Sequence, residues 1–89
     1  MRAIVSVVGK DQVGIIANVC ALLAQRDVNI LDISQTVLQE YFTMVMLVDV
    51  SICSLPFDEL CSIMKQSGTE RGLTIRLQRE DIFEAMHRI

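Results

Sequence analysis

The chain is poor in histidine, the side chain most often used as a general acid or base. It contains one histidine, His87, close to the C-terminus. A histidine general base must be held rigidly within hydrogen-bond reach of its nucleophile, and a chain end is a poor place for that. His87 therefore reads as a surface residue. No Cys-x-x-Cys or His-x-x-x-His occurs, so metal ligation has no local signature and no cofactor is expected. Lys and Arg number 8 against 11 Asp and Glu, giving a net charge of −3 without a basic cluster. Nucleic-acid binders need cations to displace counterions from phosphates, so that partner class is not expected. The richest apolar stretches, Ala3–Val8 and Tyr41–Val50, fall well short of the roughly 20 residues that cross a bilayer. The start shows no charged-then-apolar leader, and a cytoplasmic protein is expected. Cys20, Cys53 and Cys61 are odd in number and irregularly spaced, as reduced small apolar residues would be rather than a disulfide framework.

Apolar residues, by contrast, are abundant: 52% of the 89 residues, with a mean hydropathy of +0.44. A chain of this length forms one domain and buries only about 60–65% of its unfolded surface. The excess points either to a dense core or to an interface with a second copy, and self-association is expected.

Arg2–Val8 is β-branched and almost continuously apolar, suiting an interior strand covered on both faces. Gly9-Lys10-Asp11-Gln12 breaks it. Val13, Ile16, Ala17, Cys20, Leu23 and Ala24 then mark one face of a helix, with Asp11 as a plausible N-cap. Asn29–Leu38 is extended and of mixed polarity, like an edge strand, and Gln39-Glu40 can reverse it into the more apolar Tyr41–Val50. After a connector over Ser51–Leu55, Pro56 suits an early helical position, and Phe57, Leu60, Cys61 and Met64 supply a second stripe. Gly68 and Gly72 both offer stop signals. Leu73, Ile75 and Leu77 alternate with polar residues as a final strand, and Ile82, Phe83 and Met86 lie at helical spacing.

The order is β-α-β-β-α-β plus a tail: an α+β, ferredoxin-like sandwich with a core over about residues 3–79 and a short helix over about 80–88. In that fold the first and third strands are central, and those are the two most apolar runs. Other users of this topology are disfavoured residue by residue. Soft-metal chaperones carry paired cysteines where this chain has Gly-Lys-Asp-Gln-Val-Gly. Acylphosphatases need an arginine and an asparagine around a phosphate. RNA-recognition motifs stack bases on aromatics, but Tyr41 and Phe42 point to opposite faces with no basic rim. Asp58-Glu59 and Glu80-Asp81, near helix starts, favour the helix dipole rather than acid–base work.

The informative segment is Gly9–Ala17. Gly14 falls in the first turn of the expected helix, where glycine costs about 1 kcal/mol relative to alanine. It is there either for a close packing contact or to bare the free N–H groups of the helix start, which favour a carboxylate or phosphate. Asp11 could meet an ammonium group, unless it is simply the cap. Gly-x-Asp-x-x-Gly-Ile-x-Ala, then Asp27-Val28-Asn29-Ile30, Ile33-Ser34-Gln35-Thr36-Val37, Glu40-Tyr41-Phe42-Thr43-Met44 and the ending Ile82-Phe83-Glu84-Ala85-Met86, resemble the ACT domain. In particular they resemble the small stand-alone ACT proteins of the UPF0237 family, over essentially the whole chain.

That resemblance implies a non-catalytic regulatory module that dimerises by joining sheets or packing helices. It implies a small-molecule ligand, in many members an amino acid, held between the first loop and the start of the second strand. The implicated positions are Asp11, Gln12, Val13, Gly14, Ile15, Asn29 and Ile30. Asn29 can both donate and accept hydrogen bonds, or it can serve as a turn residue that tolerates a left-handed backbone. A metabolic enzyme or regulator would receive the signal. The alternative is a ligand-free dimer that docks onto such a partner, for which five methionines provide adaptable contact surface.

Overall fold

The structure, a computed structural model, describes residues 1–81. Its elements are β1 (Arg2–Lys10), α1 (Ile15–Ala24), β2 (Asn29–Leu38), β3 (Tyr41–Asp49), α2 (Phe57–Glu70) and β4 (Leu73–Arg79). The strands form one antiparallel sheet in the order β2-β3-β1-β4. This is the expected ferredoxin-like arrangement, with β1 and β3 central. The tail helix begins with Glu80 and Asp81, and the rest of the expected segment lies outside the described residues.

Period-two alternation sends one face of each strand into the core. Ala3, Val5 and Val7 of β1, Phe42, Met44, Met46 and Val48 of β3, and Leu73, Ile75 and Leu77 of β4 form a single cluster with Ile15, Val19 and Leu23 of α1 and Leu60 and Met64 of α2. The other face of β1 is less covered than its sequence suggests. Ile4 is buried, but Ser6 is half-buried and Val8 is 46% exposed, because the helices pack on one side of the sheet.

The first helix also differs from its sequence pattern. It starts at Ile15, and its buried row is Ile15, Val19 and Leu23, while Val13 is fully exposed in the preceding turn and Ala17 and Ala24 face outward. Ile15–Ala24 is apolar at nearly every position, so its periodicity does not distinguish two faces one residue apart. Gly14, not Asp11, is the N-cap, with φ of 84° and no side-chain cap bond. The helix ends with Asp27 in a left-handed conformation (φ 60°), where Val28 N donates to Leu23 O and Asp27 N to Ala24 O. This is the paired-bond closure that usually uses glycine.

Pro56 caps α2 rather than joining it. Of the two candidate stop signals Gly72 is the stop, with φ of 71°, whereas Gly68 is buried against β4.

Candidate functional site

Lys10 pairs with Tyr41 at the end of β1, and the chain must then turn back over the sheet to enter α1. Two contacts hold that turn. Asp11 N donates to Glu40 O at 2.7 Å, tying the loop to the β2–β3 hairpin. The Gln12 side-chain amide donates to Arg71 O at 3.0 Å, tying it to the end of α2. Gln12 thus has a structural bond of its own. Asp11, Gln12, Val13 and Gly14 are all exposed, while Ile15 is 3% exposed and belongs to the core. Any part Ile15 plays in a site falls to its backbone.

Gly14 is explained by its backbone. An added Cβ would meet nothing nearer than Asn18 Nδ2 at 3.3 Å, so close packing is not what demands glycine. A φ of 84° is a conformation that glycine adopts readily and side-chain-bearing residues resist. Asn18 N donates to Gly14 O at 2.9 Å, the first bond of the helix. The N–H groups of the turn ahead of it have no intrahelical acceptor, no capping side chain and no first-turn carboxylate.

Asn29 and Ile30 lie elsewhere. Asn29 pairs with Asp49, and Ile30 pairs with Val48 and packs half-buried against the core. Asn29 is exposed on a shallow depression of about 430 Å³, lined by Ala24, Asp27, Val28, Asp49, Ser51 and Ile52 as well. Asp49 accepts hydrogen bonds from the Ser51 hydroxyl (2.5 Å) and the Ser51 backbone N–H (2.9 Å), with the terminal ammonium of Met1 at 3.6 Å. These interactions, the Ser51 hydroxyl foremost, hold its carboxyl below the ordinary value.

The loop lies at the Tyr41 end of β3 and Asn29 at the Asp49 end. Eight residue steps at roughly 3.4 Å each put Lys10, where the loop begins, about 27 Å from Asn29 along the sheet. One protomer therefore brings Asp11, Gln12, Val13, Gly14 and Ile15 together but not with Asn29 and Ile30. The sequence reading did not include Asp27, Asp49 or Ser51 beside Asn29. Asp27 has a local sign, a polar residue where the apolar stripe stops. The pairing of Asp49 with Asn29 depends on strand register and has none. Among the described residues no group of His, Cys, Asp or Glu could hold a metal ion, and no helix is long and apolar enough to cross a membrane.

The ACT-domain family model matches residues 2–78. A UPF0237 protein of Clostridium acetobutylicum is 49% identical over 89 residues, covering the whole of both chains. The structure of an ACT domain protein from Streptococcus pneumoniae superposes with a TM-score of 0.82 at 45% identity, covering 98% of each chain. A putative glycine cleavage system transcriptional repressor shares the fold with a TM-score of 0.73 at 23% identity, over 86% of this chain and 44% of that one. A family model that matches nearly the whole chain and relatives alike over their full length settle the matter: this chain is a member of the ACT-domain family, among its UPF0237 proteins.

Proposed function

We propose that this chain is a non-catalytic regulatory module of the cytoplasm that senses an amino acid as a homodimer. The ligand is bound by Asp11, Gln12, Val13, Gly14 and Ile15 of one protomer together with Asn29 and Ile30 of the other. The observation that carries this reading is the separation of about 27 Å along the sheet between Lys10, where the loop begins, and Asn29. A small ligand cannot span it within one chain, but β2 is an edge strand whose other side pairs with nothing among the described residues. Two β2 strands joined antiparallel about a two-fold axis set the start of each beside the end of the other. The end of β2 leads through Glu40 to the carbonyl that holds Asp11. Asn29 of one copy then approaches the loop of its partner.

The chemistry suits a zwitterion. The open N–H groups behind Gly14 favour a carboxylate. The Asp11 carboxylate faces an ammonium, and Asn29 can donate or accept. Leu31, Ile33, Val37 and Leu38 leave apolar surface along β2, 40–72% exposed, that a second copy would cover. Cys20, Cys53 and Cys61 are free thiols, in keeping with a reducing compartment. A putative glycine cleavage system transcriptional repressor shares the fold, in keeping with a module that passes its signal to an enzyme or regulator.

The test is a thermal-shift screen against the twenty amino acids, with mass by light scattering. The expected result is a dimer whose Tm rises with the dose of one amino acid. Gly14→Glu and Asn29→Ala should each abolish the shift. Mixing the two variants in equal amounts should restore about a quarter of the binding sites, since half of the dimers are then mixed and one of the two shared sites in each of those is intact. A flat screen on a clean dimer would overturn ligand sensing and leave the ligand-free docking module.

A further inference from the structure

One buried apolar residue stands apart from the core. Every other buried hydrophobic residue among those described belongs to the single cluster that both helices cover, but Ile4, only 8% exposed, does not. Strand alternation is the reason: Ala3, Val5 and Val7 turn toward the helices, so Ile4 points to the opposite face of the sheet. On that face cover rises steadily in one direction. In the row Thr43, Val8, Thr74 all three residues are exposed, and in the row Val45, Ser6, Arg76 only Ser6 is half-buried. In the row Leu47, Ile4, Gln78 the isoleucine is buried and both neighbours are half-buried. The helices lie on the other side and cannot produce this gradient. Leu47 and Gln78 flank Ile4 within the sheet and leave its upper end to whatever lies above.

The covered end of the face is the end at which β4 finishes. Arg79, its last residue, pairs with Ala3, and a helix begins at once with Glu80 and Asp81. Glu80 is held at the rim of the patch, because Arg2 Nε donates to Glu80 Oε2 at 2.8 Å and Arg2 is the next residue beyond Ile4 on the same face. Two acids suit the first turn of a helix. Residues 82–89, beyond the described part, read Ile-Phe-Glu-Ala-Met-His-Arg-Ile. At about 3.6 residues per turn, Ile82, Phe83, Met86 and Ile89 share one side of a helix, with Glu84 and Arg88 on the opposite side.

We propose that the patch around Ile4 and Leu47 is the docking site of this chain's own C-terminal segment, residues 82–89, which crosses the open face as a helix with its apolar side down. The dimensions agree. Starting from β4, the neighbouring β1 is about 5 Å away and β3 about 10 Å. Along a helix that starts at Glu80 and rises about 1.5 Å per residue, Phe83 comes after about 4.5 Å and Met86 after about 9 Å. Phe83 thus reaches Ile4, and Met86 reaches Leu47. A foreign segment is the less fitting occupant. No linker separates β4 from Glu80, so the apolar side starts at the rim of the patch in every copy, at an effective concentration that a free partner rarely matches. The span also accounts for where the cover stops, since a helix over the Ile4 row leaves Val8, Thr43 and Thr74 in solvent. A docked tail closes this face to a second sheet. The proposal uses none of the residues assigned above to the ligand.

The test is NMR on the full chain with labelled isoleucine and leucine methyl groups. The Phe83 ring should show nuclear Overhauser contacts to the methyls of Ile4 and Leu47. Phe83→Ser should move both of those resonances, leave the methyls of Ile15 and Leu23 in place, and lower Tm by at least about 4 °C. Glu84→Ala, on the opposite side of the helix, should leave the contacts and both resonances as they are. Absence of the contacts in the wild type would overturn the proposal, and so would unchanged Ile4 and Leu47 methyls in Phe83→Ser. Contacts found only between labelled and unlabelled copies in a mixed sample would overturn it as well, because the tail would then cover a neighbour's sheet.

Discussion

Gly68 and Ile75 touch so closely that a methyl group does not fit between them: a Cβ on Gly68 would sit 2.8 Å from Ile75 Cγ1. The side chain of Ile75 could shift, but the carbonyl oxygen of Leu73, at 2.9 Å, is backbone of the paired β4 strand and cannot move without breaking register. Gly68→Ala gains about 1 kcal/mol of helix propensity and loses more to overpacking, about 1–3 kcal/mol. The expected outcome is a net destabilisation of up to about 2 kcal/mol in a denaturant titration. A more stable variant would show that α2 can lift from β4 without cost, contrary to the close packing seen here.

Gly14 is the second glycine whose replacement has a definite sign. If it sat inside the helix, alanine would stabilise the protein by about 1 kcal/mol. At a φ of 84°, alanine instead meets a left-handed backbone that costs about 1–2 kcal/mol. Gly14→Ala should therefore lower Tm, and Gly14→Asn should lower it less, because asparagine tolerates this region. Equal losses for the two would mean that side-chain size against Asn18, not backbone conformation, sets the requirement.

Acid should weaken the corner where β3 ends. The hydroxyl and backbone N–H of Ser51 and the terminal ammonium hold the Asp49 carboxyl below its ordinary value of 3.8. A carboxylate depressed in the folded state contributes stability that is fully present above its ordinary value. That contribution is lost as pH falls through the lower folded value, since the unfolded chain takes up the proton first. Asp49→Asn has no such proton to bind. The Tm difference between wild type and Asp49→Asn should hold from pH 7 to about pH 5 and close progressively as pH falls below about 4. A gap that stays constant across that range would remove the Ser51 bonds from the account. The Asp49 side chain is 40% exposed, so the effect should be small and weaker in high salt.

The strand order and both helices were legible because their signals are redundant. β1 and β3 are apolar along their whole length, so centrality and hydrophobicity agree, and Gln39-Glu40 marks the hairpin without competition. The face of α1 was not legible. Ile15 and Ile16 are chemically alike, and what decides between them is the left-handed Gly14, which delays the helix by two residues from the expected Val13. Asp11 looked like a cap for the same reason, since cap chemistry is local and the chain's path through Gly14 is not. In the candidate site the loop residues were legible as one continuous motif. Their relation to Asn29 was not, because it depends on which strand lies at the edge and on which end of the sheet each turn occupies.

The distance between Gly14 and Asn29 has a consequence for how such a protein would respond to its surroundings. A small molecule that touches both residues must count two chains as well as itself. Its apparent affinity then rises with the abundance of the protein, and dilution alone would switch the complex off at a fixed ligand level. A cell that changes how much of this chain it makes would in that way move the threshold of the response without altering a single contact.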